Sequence, residues 1–212
     1  VAAAVVIPEG MPLDAVDSKR LTERRREAWV EQFKATAAEQ GIRYGYYWID
    51  VPTINERGIG WANREIFRQL ILKYEADEYW VDGNHKLQEL GDKQDRYQSV
   101  VRGDERIPVI AAASILAKTY RDAIMRELHE RYPQYHWDRN KGYGSAAHIS
   151  AIKTFGRSPY HRGLFAQTVE GKVYKNKNHQ EFAQPLLLLG PGTAVLTLLL
   201  TQFLKNLIQF VG

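Results

Sequence analysis

Asp82 closes the apolar run Tyr79-Trp80-Val81 and is followed at once by Gly83, which lets the backbone turn. A strand that ends this way aims a carboxylate beyond the edge of a sheet, where a rigid element can hold it for chemistry. The same Asp-Gly pair also serves as an ordinary turn. Ser114, Lys118 and Asp122 recur at four-residue spacing on one helical face, downstream of Ala111-Ala112-Ala113. Those small residues would bring the helix close to a sheet and Asp122 toward a strand-end carboxylate; a surface pair with Lys118 is the plainer alternative. His148 and His161 lack metal-ligand spacing and there is no His-Glu-x-x-His, so each is expected to make hydrogen bonds or to meet a phosphate. Ser145 and Ser158 have no nucleophile-elbow context, and Gly58-Ile59-Gly60 lacks the Lys-Ser/Thr of a phosphate loop.

These groups sit in a chain of 212 residues with a net charge of +4. The excess is local: between Arg131 and Lys177 nine Lys and Arg face only Asp138 and Glu170. Tyr132, Tyr135, Trp137, Tyr143, Phe155, Tyr160, Phe165 and Tyr174 are interleaved with them. Basic side chains neutralise phosphates and aromatic faces stack on bases or sugars, so the mixture suits nucleic acid. It also suits a solvated basic surface over an aromatic core. The absence of Cys rules out disulfides, Cys-ligated zinc, iron–sulfur clusters and thiol nucleophiles. With no legible export signal at the start, a cytoplasmic location is expected.

The elements that must position these residues follow from periodicity. Val1 to Ile7 reads as a buried strand, Thr22 to Gln40 as an amphipathic helix with Trp29, Phe33 and Ala37 in line, and Ile42 to Ile49 as a strand. Pro52 opens a helix through Tyr74 with Ile54, Ile59, Ala62, Ile66 and Leu70 inward. Glu78 to Asp82 and Tyr97 to Val101 are short strands, Pro108 starts a helix to about Tyr132, and Ser145 caps one ending near Gly156. Alternating strands and helices make an α/β domain.

Three regions are expected: a domain over 1–166, a polar linker over 167–184 and a hydrophobic tail over 185–212. The tail carries one charge, Lys205, and after Gly190-Pro191-Gly192 it places Thr193, Thr197, Thr201, Lys205 and Gln209 at every fourth position. An apolar helix with so narrow a polar stripe docks on its own domain, self-associates or contacts a membrane.

Together these stretches resemble ribonuclease HII. The resemblance rests on Val1-Ala-Ala-Ala-Val-Val6, Asp17-Ser18-Lys19, Val81-Asp82-Gly83, Arg102-Gly103-Asp104, Ala111-Ala-Ala-Ser-Ile-Leu-Ala-Lys118, Arg121-Asp122, Tyr132-Pro133, Lys141-Gly142-Tyr143-Gly144, His148 and His161-Arg162, in order from Val1 to about Phe165. It implies an RNase H-like fold, a mixed sheet flanked by helices. It also implies an endoribonuclease that cuts RNA in RNA–DNA hybrids and at ribonucleotides embedded in duplex DNA, by two-metal-ion hydrolysis with Mg²⁺ or Mn²⁺. Of the family's four metal-binding acids, the resemblance assigns two to Asp82 and Asp122. It gives Tyr143 the role of packing on the sugar at an RNA–DNA junction. Arg139, Lys141, Arg157, Arg162 and His148 are the expected substrate contacts.

The family's catalytic domain opens with Asp-Glu-x-Gly-Arg-Gly on the central first strand of the sheet, and that motif is absent from these 212 residues. The chain as given is therefore expected to be inactive and marginally folded, the alternative reading being a catalytically dead nucleic-acid-binding module.

Overall fold

The structure, a computed structural model, describes residues 1–14 and 18–163. The expected linker and tail, and Asp17, lie outside them. β1 (Ala2–Val6) pairs antiparallel with β2 (Arg43–Tyr47), Ala2 opposite Tyr47 and Val6 opposite Arg43. Between them runs α1 (Glu23–Ala37), whose N-cap Thr22 accepts the Arg25 N–H. Its Val30, Phe33 and Ala37 are buried with Ile42 against Ile115 and Leu116. Those last two come from α5 (Pro108–Arg131), which opens on the predicted proline and packs on β1. Ala residues on both partners permit that close approach. Ile115 and Leu116 are fully enclosed, each worth about 1.5–3 kcal/mol of burial.

The helix expected from Pro52 to Tyr74 is two helices, α2 (Val51–Arg57) and α3 (Ile59–Lys73). Gly58 divides them because it sits at φ 83°, outside the helical region. Its N–H closes α2 on the Ile54 carbonyl, while its own carbonyl accepts the Ala62 N–H of α3. The inward stripe accordingly holds for Ala62, Ile66 and Leu70, whereas Ile54 and Ile59 stay partly exposed. The C-terminus of α3 is closed by a buried lysine. Lys93 Nζ donates to the carbonyls of Ile71, Leu72 and Tyr74 at 2.9–3.3 Å, supplying positive charge where the helix dipole is negative.

β3 (Tyr79–Asp82) pairs parallel with β4 (Tyr97–Val100). The single mixed sheet of the expectation is thus two two-stranded sheets among the described residues, with α5 against both β1 and β3. Each of β1 and β3 has one hydrogen-bonded neighbour there. α4 (Gly103–Arg106), α6 (Trp137–Asn140) and α7 (Ala146–Phe155) complete the domain, α7 capped by Ser145 as its sequence predicts. No described helix is long and apolar enough to cross a membrane.

Candidate active site

Asp82 ends β3, and Gly83, at φ 99°, turns the chain away. The Asp82 carboxylate then does something specific: its Oδ1 accepts the Gly103 N–H at 2.8 Å, satisfying a free donor at the start of α4. Glycine suits position 103, because a Cβ there would lie 2.6 Å from Ile110 Cδ1 and push that side chain aside. The next residue, Asp104, is buried. Lys19 Nζ stands 3.2 Å from Asp104 Oδ2 and 3.1 Å from Glu105 Oε1, and its bonds to Glu105 and Asp104 push the lysine upward. Asp82 is thus bonded to the backbone N–H of the residue that precedes Asp104, with an ammonium already drawn to Asp104.

Oxygen donors of this kind suit hard divalent cations, and the lysine occupies a place a cation would favour. The fit is partial: no cluster of three or more His, Cys, Asp or Glu able to hold a metal occurs among the described residues.

The structure does not bring Asp122 to this place. Ile110 meets Gly103 where Asp82 does, and Asp122 lies twelve residues farther along α5, about 18 Å of helix axis. Its carboxylate is buried against α1, where Arg26 Nη2 donates to Oδ2 at 2.9 Å and Arg121 Nη1 lies 3.9 Å from Oδ1. The structure thus places Asp82 and Asp122 apart, where the sequence expectation had them share a metal site.

Two further expected substrate contacts, Lys141 and His148, are buried in the structure. Lys141 is 8% exposed, and its ammonium is held by Glu23 Oε1 at 2.9 Å and by the Asp138 carbonyl. Burial opposes ionisation of Glu23, yet Lys141 and Arg126 hold its carboxyl below the usual range. Lys141 is therefore tied inward to α1 and not presented to a phosphate. His148 is 5% exposed and enclosed by Trp137 and His161.

The remaining contacts lie at the surface. Tyr143 is 66% exposed, and the Arg121 guanidinium stacks on its ring at 4.6 Å while donating to the Lys141 carbonyl at 2.6 Å. Arg162 is near enough to Arg121 that burial and this second cation lower its proton affinity, while Tyr143 opposes the shift. Arg139 and Arg157 are exposed, Arg139 pairing with Asp138 at 3.7 Å.

Burial, with His148 beside it, pushes His161 down to about 4. An unfolded histidine titrates near 6.5, so the stabilisation from keeping His161 neutral is complete above about pH 6.5. It is lost as pH falls through about 4, on the order of 3 kcal/mol in all. The urea midpoint should fall across that window, and H161Q should remove that share of the slope. An identical slope in H161Q would assign the acid sensitivity to the carboxylates.

The family model for ribonuclease HII matches residues 1–168. The chain belongs to the ribonuclease HII family. Among its relatives, ribonuclease HII of Anaplasma phagocytophilum is 39% identical over 189 residues, 85% of this chain and 84% of that protein. The Chlamydia abortus enzyme is 40% identical over 169 residues, covering 78% and 76%. Membership makes the chain a ribonuclease H type endonuclease and implies dependence on a divalent metal.

Two solved structures share the fold. The PCNA:RNase HII complex from Archaeoglobus fulgidus matches with a TM-score of 0.58 and 22% identity, over 69% of this chain and 76% of that one. The ribonuclease H2 from Pyrococcus horikoshii OT3 matches with a TM-score of 0.56 and 18% identity, over 82% and 99%. The RNase H-like expectation is met at the level of fold. Sequence reasoning gave Asp104 no role, although Arg102-Gly103-Asp104 stood in the resemblance; the glycine, at a position where Ile110 comes close, was the usable signal.

Proposed function

We propose that this ribonuclease HII hydrolyses the RNA strand of RNA–DNA hybrids and cuts on the 5′ side of ribonucleotides embedded in duplex DNA, with Mg²⁺ or Mn²⁺. The observation that carries this reading is the hydrogen bond that ties the Asp82 carboxylate to the Gly103 N–H, next in sequence to buried Asp104. Asp82 and Asp104 would hold the cations together with the acids of the family's Asp-Glu-x-Gly-Arg-Gly motif. When bound, two such ions activate water and stabilise the leaving 3′-oxygen. Within this chain, β3 and the Gly103 N–H orient Asp82, and Lys19 offsets the charge of Asp104 until a cation takes that place. The 212 residues by themselves supply two of the four acids, so slow cleavage or none is expected from them.

Exposed Tyr143 beside the half-buried Arg121 and Arg162, with exposed Arg139 and Arg157 nearby in sequence, supports the duplex as partner. Paired cations beside an aromatic ring match a phosphate next to a sugar. The same face supports a second reading, duplex binding without catalysis, because it is complete without the acids.

Cleavage of a duplex containing one ribonucleotide decides between them. A chain carrying the Asp-Glu-x-Gly-Arg-Gly segment ahead of Val1 should cut it only with divalent metal, leaving 3′-hydroxyl and 5′-phosphate ends. Binding without cutting would favour the second reading. In the same assay Tyr143→Ala should lower junction preference by about tenfold with little change in salt dependence. Arg157→Ala should weaken binding to every duplex and flatten the salt slope by about one. Lys141→Ala should instead lower stability, and an altered salt slope with unchanged melting would restore Lys141 to the substrate face.

A further inference from the structure

The buried histidines adjoin the Tyr143 loop, and their hydrogen bonds admit one arrangement of protons while both rings are neutral. The Ser158 N–H can only donate, and it reaches His161 Nδ1 at 2.9 Å. His161 Nδ1 must then present a lone pair, so the proton of the neutral ring is on Nε2. His161 Nε2 lies 3.2 Å from His148 Nε2, which also receives the Trp137 indole N–H at 3.1 Å. An indole can only donate, so His148 Nε2 accepts and its proton sits on Nδ1. From there it is donated to the Tyr143 carbonyl at 2.9 Å. Every bond points the same way, from Ser158 through His161 and His148 to Tyr143.

We propose that His161 and His148 form a proton-ordered relay whose last bond, from His148 Nδ1 to the Tyr143 carbonyl, makes them positioning residues for the Tyr143 ring. This rests on the reading of Tyr143 as a substrate contact. The loop needs such a tether. Lys141 and Gly142 both have positive φ, of 50° and 77°, and Tyr143 itself is largely exposed. Other bonds hold the loop as well: Arg121 Nη2 to the Lys141 carbonyl, the Gly142 N–H to Asn140 Oδ1, the Tyr143 N–H to the Asn140 carbonyl at 2.8 Å and the Ser145 N–H to the Tyr143 carbonyl at 2.8 Å. At the Tyr143 carbonyl the bond from buried His148 joins that from Ser145 and ties the loop to the interior.

The relay also resists protonation, which keeps it in one state. An added proton at His148 Nε2 would face the Trp137 and His161 donors, whereas one at His161 Nδ1 would face the Ser158 N–H but could be accepted by Ser158 Oγ, also at 2.9 Å. Tyr135 covers the His161 ring edge-on at 4.6 Å, and Arg157 adds positive charge nearby. These surroundings agree with the low proton affinity of His161.

The test uses the 212-residue chain. Long-range ¹H–¹⁵N spectra at pH 7, assigned with H148Q and H161Q, should show His148 protonated on Nδ1 alone and His161 on Nε2 alone. A cationic His148, or one protonated on Nε2, overturns the relay. The second arm measures the affinity ratio for a duplex with an RNA–DNA junction over its all-DNA twin. H148N retains an amide donor near the Nδ1 position, whereas H148Q places its amide near Nε2 and loses that donor. Both should melt earlier, but only H148Q should lose the ratio, and by about as much as Tyr143→Ala. Equal losses in H148N and H148Q overturn the positioning role. If Tyr143→Ala keeps the ratio, the substrate-contact reading of Tyr143 fails, and the proposed positioning role fails with it; the spectra still report separately on the proton order.

Discussion

Asp82→Asn and Asp104→Asn should each reduce metal-dependent cleavage by more than about a hundredfold in a chain that carries the upstream motif. Loss of a group that merely orients a metal ligand typically costs about 10–100-fold, and loss of a ligand's charge exceeds that range. Asparagine suits the purpose because it is nearly isosteric. At position 82 its amide oxygen can still accept the Gly103 N–H, so the join between β3 and α4 survives. At position 104 the change removes a buried charge and its attraction for Lys19, whose side chain is 56% exposed and keeps Glu105 at 3.1 Å as a partner, so no buried cation is left unpaired. Both variants should therefore melt close to the parent while single-turnover cleavage in Mg²⁺ collapses. Near-normal cleavage by Asp104→Asn would falsify its assignment as a ligand and leave Asp82 without a partner in this chain.

The contrast between Asp104 and Asp122 marks how far residue patterns reach. The strand ending in Asp82, the Ser145 cap and the Pro108 helix start were all legible, because each depends on a few adjacent residues. The break at Gly58 was not, since its neighbours keep the apolar period through the interruption. The site was legible only where a residue's partners are near in sequence. Asp122 shares a helical face with Lys118, but its carboxylate is claimed by Arg26, 96 positions away. Lys141 looks like a phosphate contact until Glu23 of α1 is brought beside it. His148 and His161 lie thirteen residues apart with no metal spacing, and their meeting depends on the turn at Ser158. In each case burial and long-range pairing redirected a polar group from solvent to the interior, and composition does not encode which partner will claim it.

That redirection makes Asp122 the site of the largest expected loss in stability. Asp122→Ala should destabilise the domain by about 3–5 kcal/mol, because it leaves a buried guanidinium without its counter-charge. Arg26 has 17% of its side chain exposed and joins α1 to α5 through Asp122 Oδ2. Its other bond, Nη1 to the Leu21 carbonyl, does not neutralise it, and its Nε is buried without a partner. Arg121 Nη1, at 3.9 Å from Oδ1, adds a second cation that Asp122 currently offsets. For a domain of this size each kcal/mol moves the melting temperature by about 2–4 °C, so a fall of roughly 6–20 °C is expected. The double variant R26M/D122L should recover much of it, since an apolar pair removes both buried charges together. The decisive comparison is with Asp82→Asn at a temperature where both proteins are folded. If Asp122→Ala melts normally yet abolishes Mg²⁺-dependent cleavage, Asp122 is a metal ligand after all and the ion pair with Arg26 is incidental. If it melts early but cleaves with the parent's Mg²⁺ dependence while folded, the carboxylate's task is to hold α1 against α5.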